Sequence, residues 1–448
     1  MASNLTTVLA AIGAISLGFS DLSALPFTPR FSIPSVINAT SPLPASSWEF
    51  GTFTEALLEL YDPQVSVFGD RPFPVPTLQR SKVHALSYLA PHVQLATGYA
   101  ALTGGAEGAA GDPASMGVGA ILLGKTDPAF ARAANETVQA LLNSVPRFWN
   151  GAISHRIEAP ELWYVFLFPK GQNVTKSTTT TTTRADFVYM VPPFLAYYAA
   201  DTQNEDLLKE SVRQCTLYRQ VLQANITADW RGVWSHIVGP GNQDLGLWST
   251  GNAWAAAGMS RVLATVMKSN WTQDANWKQS ATTSLTQYIK EIVDGAMRTR
   301  KDQRLLRNYF NDFNPRSHGF GEVSGSALLA ATAYRMVVLQ PSSFTPTYIS
   351  WADSIRQVLG GQDSSGRPYI TAKGVVRPVV NPYAWLDPNP YANASPEGNS
   401  FVILLFAAWR DCVYSGICGA NLDGSMLAME MLDPRSAFCR LRSRRGQY

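Results

Sequence analysis

Residues 248–266 read WSTGNAWAAAGMSRVLATV. A polar, aromatic opening passes into a run in which alanine and glycine alternate with larger apolar residues. Such a run reads as a helix that is apolar nearly all round, and therefore buried. The same form recurs in GDPASMGVGAILLG from Gly111, ADFVYMVPPFLAYYA from Ala185, SGSALLAATAYRMVVL from Ser324 and SPEGNSFVILLFAAWRD from Ser395. A sixth stretch, SKVHALSYLAPHVQLATGYAAL from Ser81, fits more loosely. Most starts lie roughly 60 to 75 residues apart, which implies one repeated supersecondary unit.

Between the apolar helices lie polar ones at 3.6-residue spacing, such as EDLLKESVRQCTLYRQVLQ and WKQSATTSLTQYIKEIVDGAMR. A small-residue inner helix alternating about six times with a polar-faced outer helix predicts an all-α, single-domain (α/α)6 barrel. An open solenoid is the alternative, but its repeat is shorter, roughly 34 to 47 residues. Start signals agree with inner helices. Ser395-Pro396-Glu397 offers a cap, a first-turn proline and an early acid, and Asp112-Pro113 offers the same cap and proline. Pro192-Pro193 predicts that the regular helix begins there, with Asp186 on its entry turn. The barrel is expected over residues 48–420, after a leader (1–24) and an extension (25–47), and before a tail (421–448).

A chain of 448 residues, 46% hydrophobic and 15% charged, can bury a large core. The final RLRSRRGQY holds four arginines and no acid, more than the whole net charge of +3, so no basic surface for nucleic acid is expected. The first residues contain a short apolar run followed by small residues near Ala24, which reads as a secretory signal despite the missing basic n-region. No other segment is long and apolar enough to span a bilayer, so no membrane association is expected after cleavage. Sequons at Asn38, Asn135, Asn173, Asn225, Asn270 and Asn393 point to a glycosylated, secreted eukaryotic product. Cys412 and Cys418 are spaced to close a small loop in an oxidising compartment, whereas Cys215 reads as a core position. The chain has no zinc-site spacing, G-x-S-x-G elbow, H-E-x-x-H or P-loop. No metal or organic cofactor is implied.

In such a barrel the loops entering the inner helices surround one cavity, so residues far apart in sequence can meet there. Asp112, Asp186, Trp248, Asn252 and Trp254 stand at those entries, with His236 somewhat upstream. Carboxylates beside tryptophans suit a carbohydrate, whose apolar faces stack on indoles while acids move protons at its oxygens. Each residue also has a plainer reading. Asp112 can be a helix cap, His236 a hydrogen-bonded structural histidine, and Glu397 helix-start chemistry. Trp248 and Trp254, six residues apart, do not share one helix face, so at least one reads as core.

ADFVYMVPPFLAYY and WSTGNAWAAAGMSRVLATV resemble the unsaturated rhamnogalacturonyl hydrolases and related unsaturated glucuronyl hydrolases, the six-hairpin glycosidases of glycoside hydrolase families 105 and 88. The resemblance runs from about Trp48 to Trp409, and YMVPPFLAYY, STGNAWAAAG and SPEG place it nearest the secreted fungal branch. It implies that Asp186 is the catalytic acid/base, that Asp112 is a second active-site aspartate and that Trp163 is the tryptophan of the family's Trp-x-Asp motif. It further implies substrate contacts from His236, Trp248, position 250, Asn252 and Trp254. The family's Trp-x-Arg-Gly-Asn-Gly-Trp stands here as Trp248-Ser249-Thr250-Gly251-Asn252-Ala253-Trp254. The family associates its arginine with gripping the acidic group of the sugar, and Thr250 has neither the charge nor the bidentate fork. Either another cation, such as Arg231, takes over, or the sugar is neutral.

Between Trp163 and Ala185 lies YVFLFPKGQNVTKSTTTTTTR, 21 residues with six consecutive threonines and no helical period. Removing it restores Trp-x-Asp as Trp163-Ala185-Asp186, so the stretch reads as a translated, unspliced intron. A surface loop, O-glycosylated on its threonines, is the other reading. The resemblance implies a secreted hydrolase that removes terminal unsaturated uronic acid from pectin-derived oligosaccharides. Asp186 would protonate the C4=C5 double bond, and Asp112 would hold the water or keep Asp186 protonated by repulsion. The alternatives are a glycosidase or lyase acting on a neutral sugar, and an inactive carbohydrate-binding toroid. An oligosaccharide is the only partner implied.

Overall fold

The computed structural model describes residues 29–104, 109–157, 183–224, 229–239, 243–314 and 316–419. The expected leader, the C-terminal tail, Trp163 and residues 164–182 lie outside the described residues. Along the chain come α1 (Ile33–Thr40), α2 (Ser47–Tyr61), α3 (His84–Leu89), α4 (Gly111–Ala114), α5 (Gly117–Gly124) and α6 (Pro128–Asn143). Then follow α7 (Phe187–Thr202), α8 (Glu205–Leu222), α9 (Ser249–Lys268), α10 (Ala275–Arg298), α11 (Val323–Leu339), α12 (Pro346–Leu359) and α13 (Pro396–Tyr414). Helices α2, α4 with α5, α7, α9, α11 and α13 pack side by side in that order, and α13 returns to α2. Outside them α3 covers α2, α6 covers α5, α8 covers α7, α10 covers α9, α12 covers α11, and α1 covers α13. The ring of six hairpins is an (α/α)6 barrel.

Two expectations need correction. The loosely fitting stretch from Ser81 forms the short outer helix α3, and the first inner helix is α2, SWEFGTFTEALLELY. Its three glutamates disguise it in the sequence, yet Glu49, Glu55 and Glu59 are all buried. Burial is possible because Glu55 and Glu59 meet Arg261, and Glu59 also meets Arg335, both from other inner helices. The sixth outer helix is α1, so the barrel begins by Ile33, inside the segment set aside as an extension.

Outer helices α6, α8 and α10 start on side-chain caps. Asp127 accepts from the Ala129 amide, Asn204 from Leu207 and Asp274 from Trp277. Ser395 caps α13 by accepting from Gly398, with Pro396 at the first helical position as expected. Asp112 does not cap: α4 starts one residue earlier, at Gly111. Helix α7 also starts earlier than its prolines suggest. It begins at Phe187 and carries Pro192 and Pro193 inside it. Proline has no N–H to return to the carbonyl four residues back, so the Val188 carbonyl loses its intrahelical partner. That oxygen lies against Gly258 of α9, where a Cβ would come within 2.1 Å of it.

Two short antiparallel ribbons complete the described fold. Gln94–Leu95 (β1) pairs with Leu102–Thr103 (β2), and Thr183–Arg184 (β3) pairs with Ile237–Val238 (β4). Cys412 and Cys418 form a disulfide at the end of α13, and Cys215 is buried on α8. No helix among the described residues is long and apolar enough to cross a membrane.

Candidate active site

The entry turns of the inner helices gather at one end of the barrel. The Ser115 hydroxyl donates to the Ser47 carbonyl, the Ser249 hydroxyl donates to Glu322, and Gly398 packs against Ser324. Asp186 stands immediately before α7, is 8% exposed, and makes no capping bond to its own helix. Its partner is Arg184: Nε lies 3.3 Å from Oδ1 and Nη2 lies 3.2 Å from Oδ2. Arg184 in turn reaches His236 Nε2 at 3.4 Å and lies over the Trp385 ring.

Backbone register fixes this network. Strand β3 carries Arg184 and pairs with β4, and the Ala185 amide donates to the His236 carbonyl. The chain then turns back, so that Ile237 and Asp244 exchange backbone hydrogen bonds. His236 Nδ1 thereby meets Asp244 Oδ2 at 2.9 Å. Arginine can only donate, so His236 Nε2 accepts from Arg184 and the imidazole proton sits on Nδ1, donating to Asp244. The Tyr309 hydroxyl and the Gly246 amide also donate to Asp244. Gly251 allows the close fit, with Trp248, Ala185 and His236 all against its Cα.

The electrostatics follow from these contacts. Burial opposes ionisation of Asp186, but Arg184, then His155, His236 and Arg156, outweigh it and hold the carboxyl down to about 2. Burial keeps both histidines neutral: His155 is pushed down to about 3, and His236 is lowered despite its bond to Asp244. At neutral pH Arg184 is therefore the cation in contact with Asp186. The expectation that a neighbouring carboxylate keeps Asp186 protonated is corrected; a guanidinium keeps it ionised. Asp112 is half-buried in α4, which packs against α7, and its neighbour Gly111 lies against Phe187 and His155 Nδ1. That buried Nδ1 has no hydrogen-bond partner among the described residues.

The residues expected to touch sugar form the wall behind this site. Trp248 and Trp254 are each 2% exposed. The Trp248 indole donates to Asn308 Oδ1 and packs at a tilt against His236, while the Trp254 indole donates to Glu397 Oε1. Thr250 is fully buried and donates to Glu322. Asn252 is fully buried, accepts from the Trp234 amide and donates to the Trp234 and Trp248 carbonyls. None of these four offers a sugar a free face; their polar atoms are spent on holding the entry turns. Arg231 does not replace the missing arginine, because it is exposed and its carbonyl is tied to Arg298 of outer helix α10.

The accessible aromatics are others. Tyr383 is 65% exposed and bonded to Ser46, and the half-buried Trp48 lies between it and Trp254. Trp385, also half-buried, meets the edge of His236. Two further carboxyls sit below this rim. Burial raises Glu322, against the donors around it. Burial also raises Glu397 well above the carboxylate range, with help from Glu322, Glu49 and Asp186 and against the Trp254 bond. Sequence reading missed Arg184, which it assigned to the insertion, and Asp244. The Gly-Pro-Gly run in the sequence between His236 and Asp244, itself outside the described residues in part, was the available signal for the latter.

Comparison with known proteins fits this geometry. The model of glycosyl hydrolase family 88 matches residues 114–346, just over half of the chain and inclusive of Asp186, His236 and the Trp248–Trp254 turn. The chain belongs to glycosyl hydrolase family 88. Comparison with curated proteins finds no match. Among solved structures, a possible member of family GH105 from Salmonella enterica serovar Paratyphi A aligns with a TM-score of 0.59 at 13% identity, covering 85% of this chain and 92% of that one. A family 88 glycosyl hydrolase from Bacteroides vulgatus aligns at 0.57 and 13% identity, covering 85% and 98%. An unsaturated glucuronyl hydrolase specific for heparin aligns at 0.51 and 10% identity, covering 87% and 97%. At these identities the structural likeness speaks for the six-hairpin fold. Family membership makes the protein a glycoside hydrolase.

Proposed function

We propose that this family 88 hydrolase removes a terminal unsaturated uronic acid from oligosaccharides, those derived from pectin being the preferred class, and that it does so outside the cell. The observation that carries the reading is the pairing of Asp186 with Arg184 at the helix entries, beneath the aromatic rim of Trp48, Tyr383 and Trp385. An acid/base group and a cation side by side suit a sugar that is both an enol ether and a carboxylate. A proton passes from Asp186 to C4, and the C4=C5 π pair becomes the new C4–H bond. A water lone pair closes on C5, and that water returns a proton to Asp186. The hemiketal so formed opens and releases the neighbouring sugar. One acid/base group suffices, unlike the two opposed carboxylates of ordinary glycosidases. Asp112, on the neighbouring helix entry, is suited to orient the water.

The secreted setting is supported by the Cys412–Cys418 disulfide and by exposure of Asn38, Asn135, Asn270 and Asn393, the sequon asparagines within the described residues. Thr250 was the reason to consider a neutral sugar, and with Arg184 beside Asp186 that reason weakens. The test is incubation with lyase-generated rhamnogalacturonan disaccharides, following the ultraviolet absorbance of the double bond. Loss of absorbance that disappears in Asp186→Asn is expected. Binding without loss points to the carbohydrate-binding toroid, and neither binding nor loss returns the neutral-sugar enzyme to first place.

A further inference from the structure

We propose that Arg184 is the group that reads the acidic substituent of the sugar, and that in moving onto it Arg184 frees Asp186 to take up a proton. The proposal rests on the uronide reading above and assigns both specificity and timing to a residue outside the family's motif. Three observations carry it. The first is vacancy of the usual position, since Thr250 is fully buried and committed to Glu322. The second is placement. Arg184 stands on a strand at the site end of the barrel, its guanidinium lying between Asp186, His236 and the rim residue Trp385.

The third is the looseness of its bonds. Charge-assisted N–H···O contacts are usually about 2.7–2.9 Å long. Two buried arginines at the other end of the barrel obey this: Arg261 meets Glu55 at 2.7 Å, and Arg335 meets Glu59 at 2.7 Å and Asp411 at 2.6 Å. Arg184 stands 3.2 and 3.3 Å from Asp186 and 3.4 Å from His236. A side chain held by several long contacts can exchange them for a bidentate pair with an incoming carboxylate. Asp186, left without its neutralising neighbour and facing a new negative charge, then takes a proton from solvent water. His236 is a positioning residue in this scheme. Its Nε2 lone pair accepts from Arg184, while Asp244 and Tyr309 hold the ring from behind.

Among the described residues the charged and titratable groups that face Asp186 are Arg184, His155, His236 and Arg156, with Tyr218 and Glu397 also within its field, and each must be accounted for in the test. Binding of a saturated uronic-acid disaccharide and of its methyl ester is measured by calorimetry on the full-length protein. Wild type is expected to bind the acid about 10- to 100-fold tighter than the ester, and Arg184→Gln to bring the two within about threefold. Equal binding of acid and ester by wild type overturns the proposal without any variant. So does a preference that survives in Arg184→Gln but vanishes in Arg156→Gln. With the unsaturated disaccharide as substrate, the alkaline limb of kcat should lie at least about one pH unit above that of kcat/KM, because only the bound state lacks the Arg184 contact. His236→Gln should narrow that gap, whereas coincident limbs in wild type overturn the release of Asp186. If wild type prefers the acid yet leaves the double bond intact, the uronide-hydrolase reading falls while Arg184 as the carboxylate anchor stands.

Discussion

At the C-terminal ends of the inner helices, Arg261, Arg335 and Arg410 face Glu55, Glu59 and Asp411 through contacts at normal or shorter lengths, three cations against three anions. At the N-terminal ends Asp186 shares one loosely held arginine with a histidine, and Glu322 and Glu397 are hydrogen-bonded only to neutral donors among the described residues. Both clusters are buried and both hold carboxylates, but they are built to opposite ends. A balanced cluster locks its end of the ring, where removal of any partner leaves a charge stranded. An unbalanced cluster keeps a site ready for a ligand that supplies what is missing. Buried charge by itself therefore does not distinguish the proposed active end from the other; imperfect pairing does.

The comparison can be broken by mutation. Asp186→Asn is expected to lower kcat by about 10²- to 10⁴-fold while disaccharide binding persists, as single-turnover rates and calorimetry would show. If kcat survives, the loosely paired end is not the reacting end. At the opposite end, Glu59→Gln strips one carboxylate from two buried guanidinium groups. Urea unfolding should report a loss of about 3–5 kcal/mol, with the preference for acid over ester unchanged in the folded protein. A shift in substrate preference there would mean that the two ends communicate.

Deleting residues 164–184 sharpens the comparison differently, because it removes Arg184 and joins Trp163 to Ala185. The expected result is a loss of acid preference comparable to that of Arg184→Gln. A shortened chain that is instead the better enzyme, together with transcripts lacking these codons, would mark the stretch as foreign and Arg184 as dispensable. The smallest effect is expected at Glu397. Its carboxyl titrates higher in the folded chain than in the unfolded one, so its proton stabilises the fold fully below about pH 4.5, and that stabilisation drains away as pH rises. Glu397→Gln is neutral throughout. Its melting temperature should match wild type near pH 4 and exceed it near pH 8, whereas a deficit at both would show that the proton on Glu397 is irreplaceable.

The inner ring was readable because alanine, glycine and large apolar residues repeat with few polar interruptions in α9, α11 and α13. Helix α2 was not, because its glutamates find their partners on α9 and α11, and no local pattern announces a partner 206 or 276 residues away. Asp186 and His236 were legible through a motif and a position. The burial of Trp248, Thr250, Asn252 and Trp254 was not legible, because a motif tells which residues accompany a site, not which of their faces remain uncovered. Arg184 escaped for the opposite reason. It adjoins a low-complexity run, and only its strand pairing with Ile237 shows that it belongs to the fold.

The carbonyl that Pro192 leaves without its helical donor rests on Gly258, a residue with nothing to do at the sugar. A single methyl there would press on the opening turn of the neighbouring helix, and that turn is the plinth on which the acid stands. Gly258→Ala is thus a mutation of alignment: the barrel could keep its shape while the proton arrives at the wrong angle. In this molecule, fine tuning of chemistry can be done from the scaffold's smallest side chain.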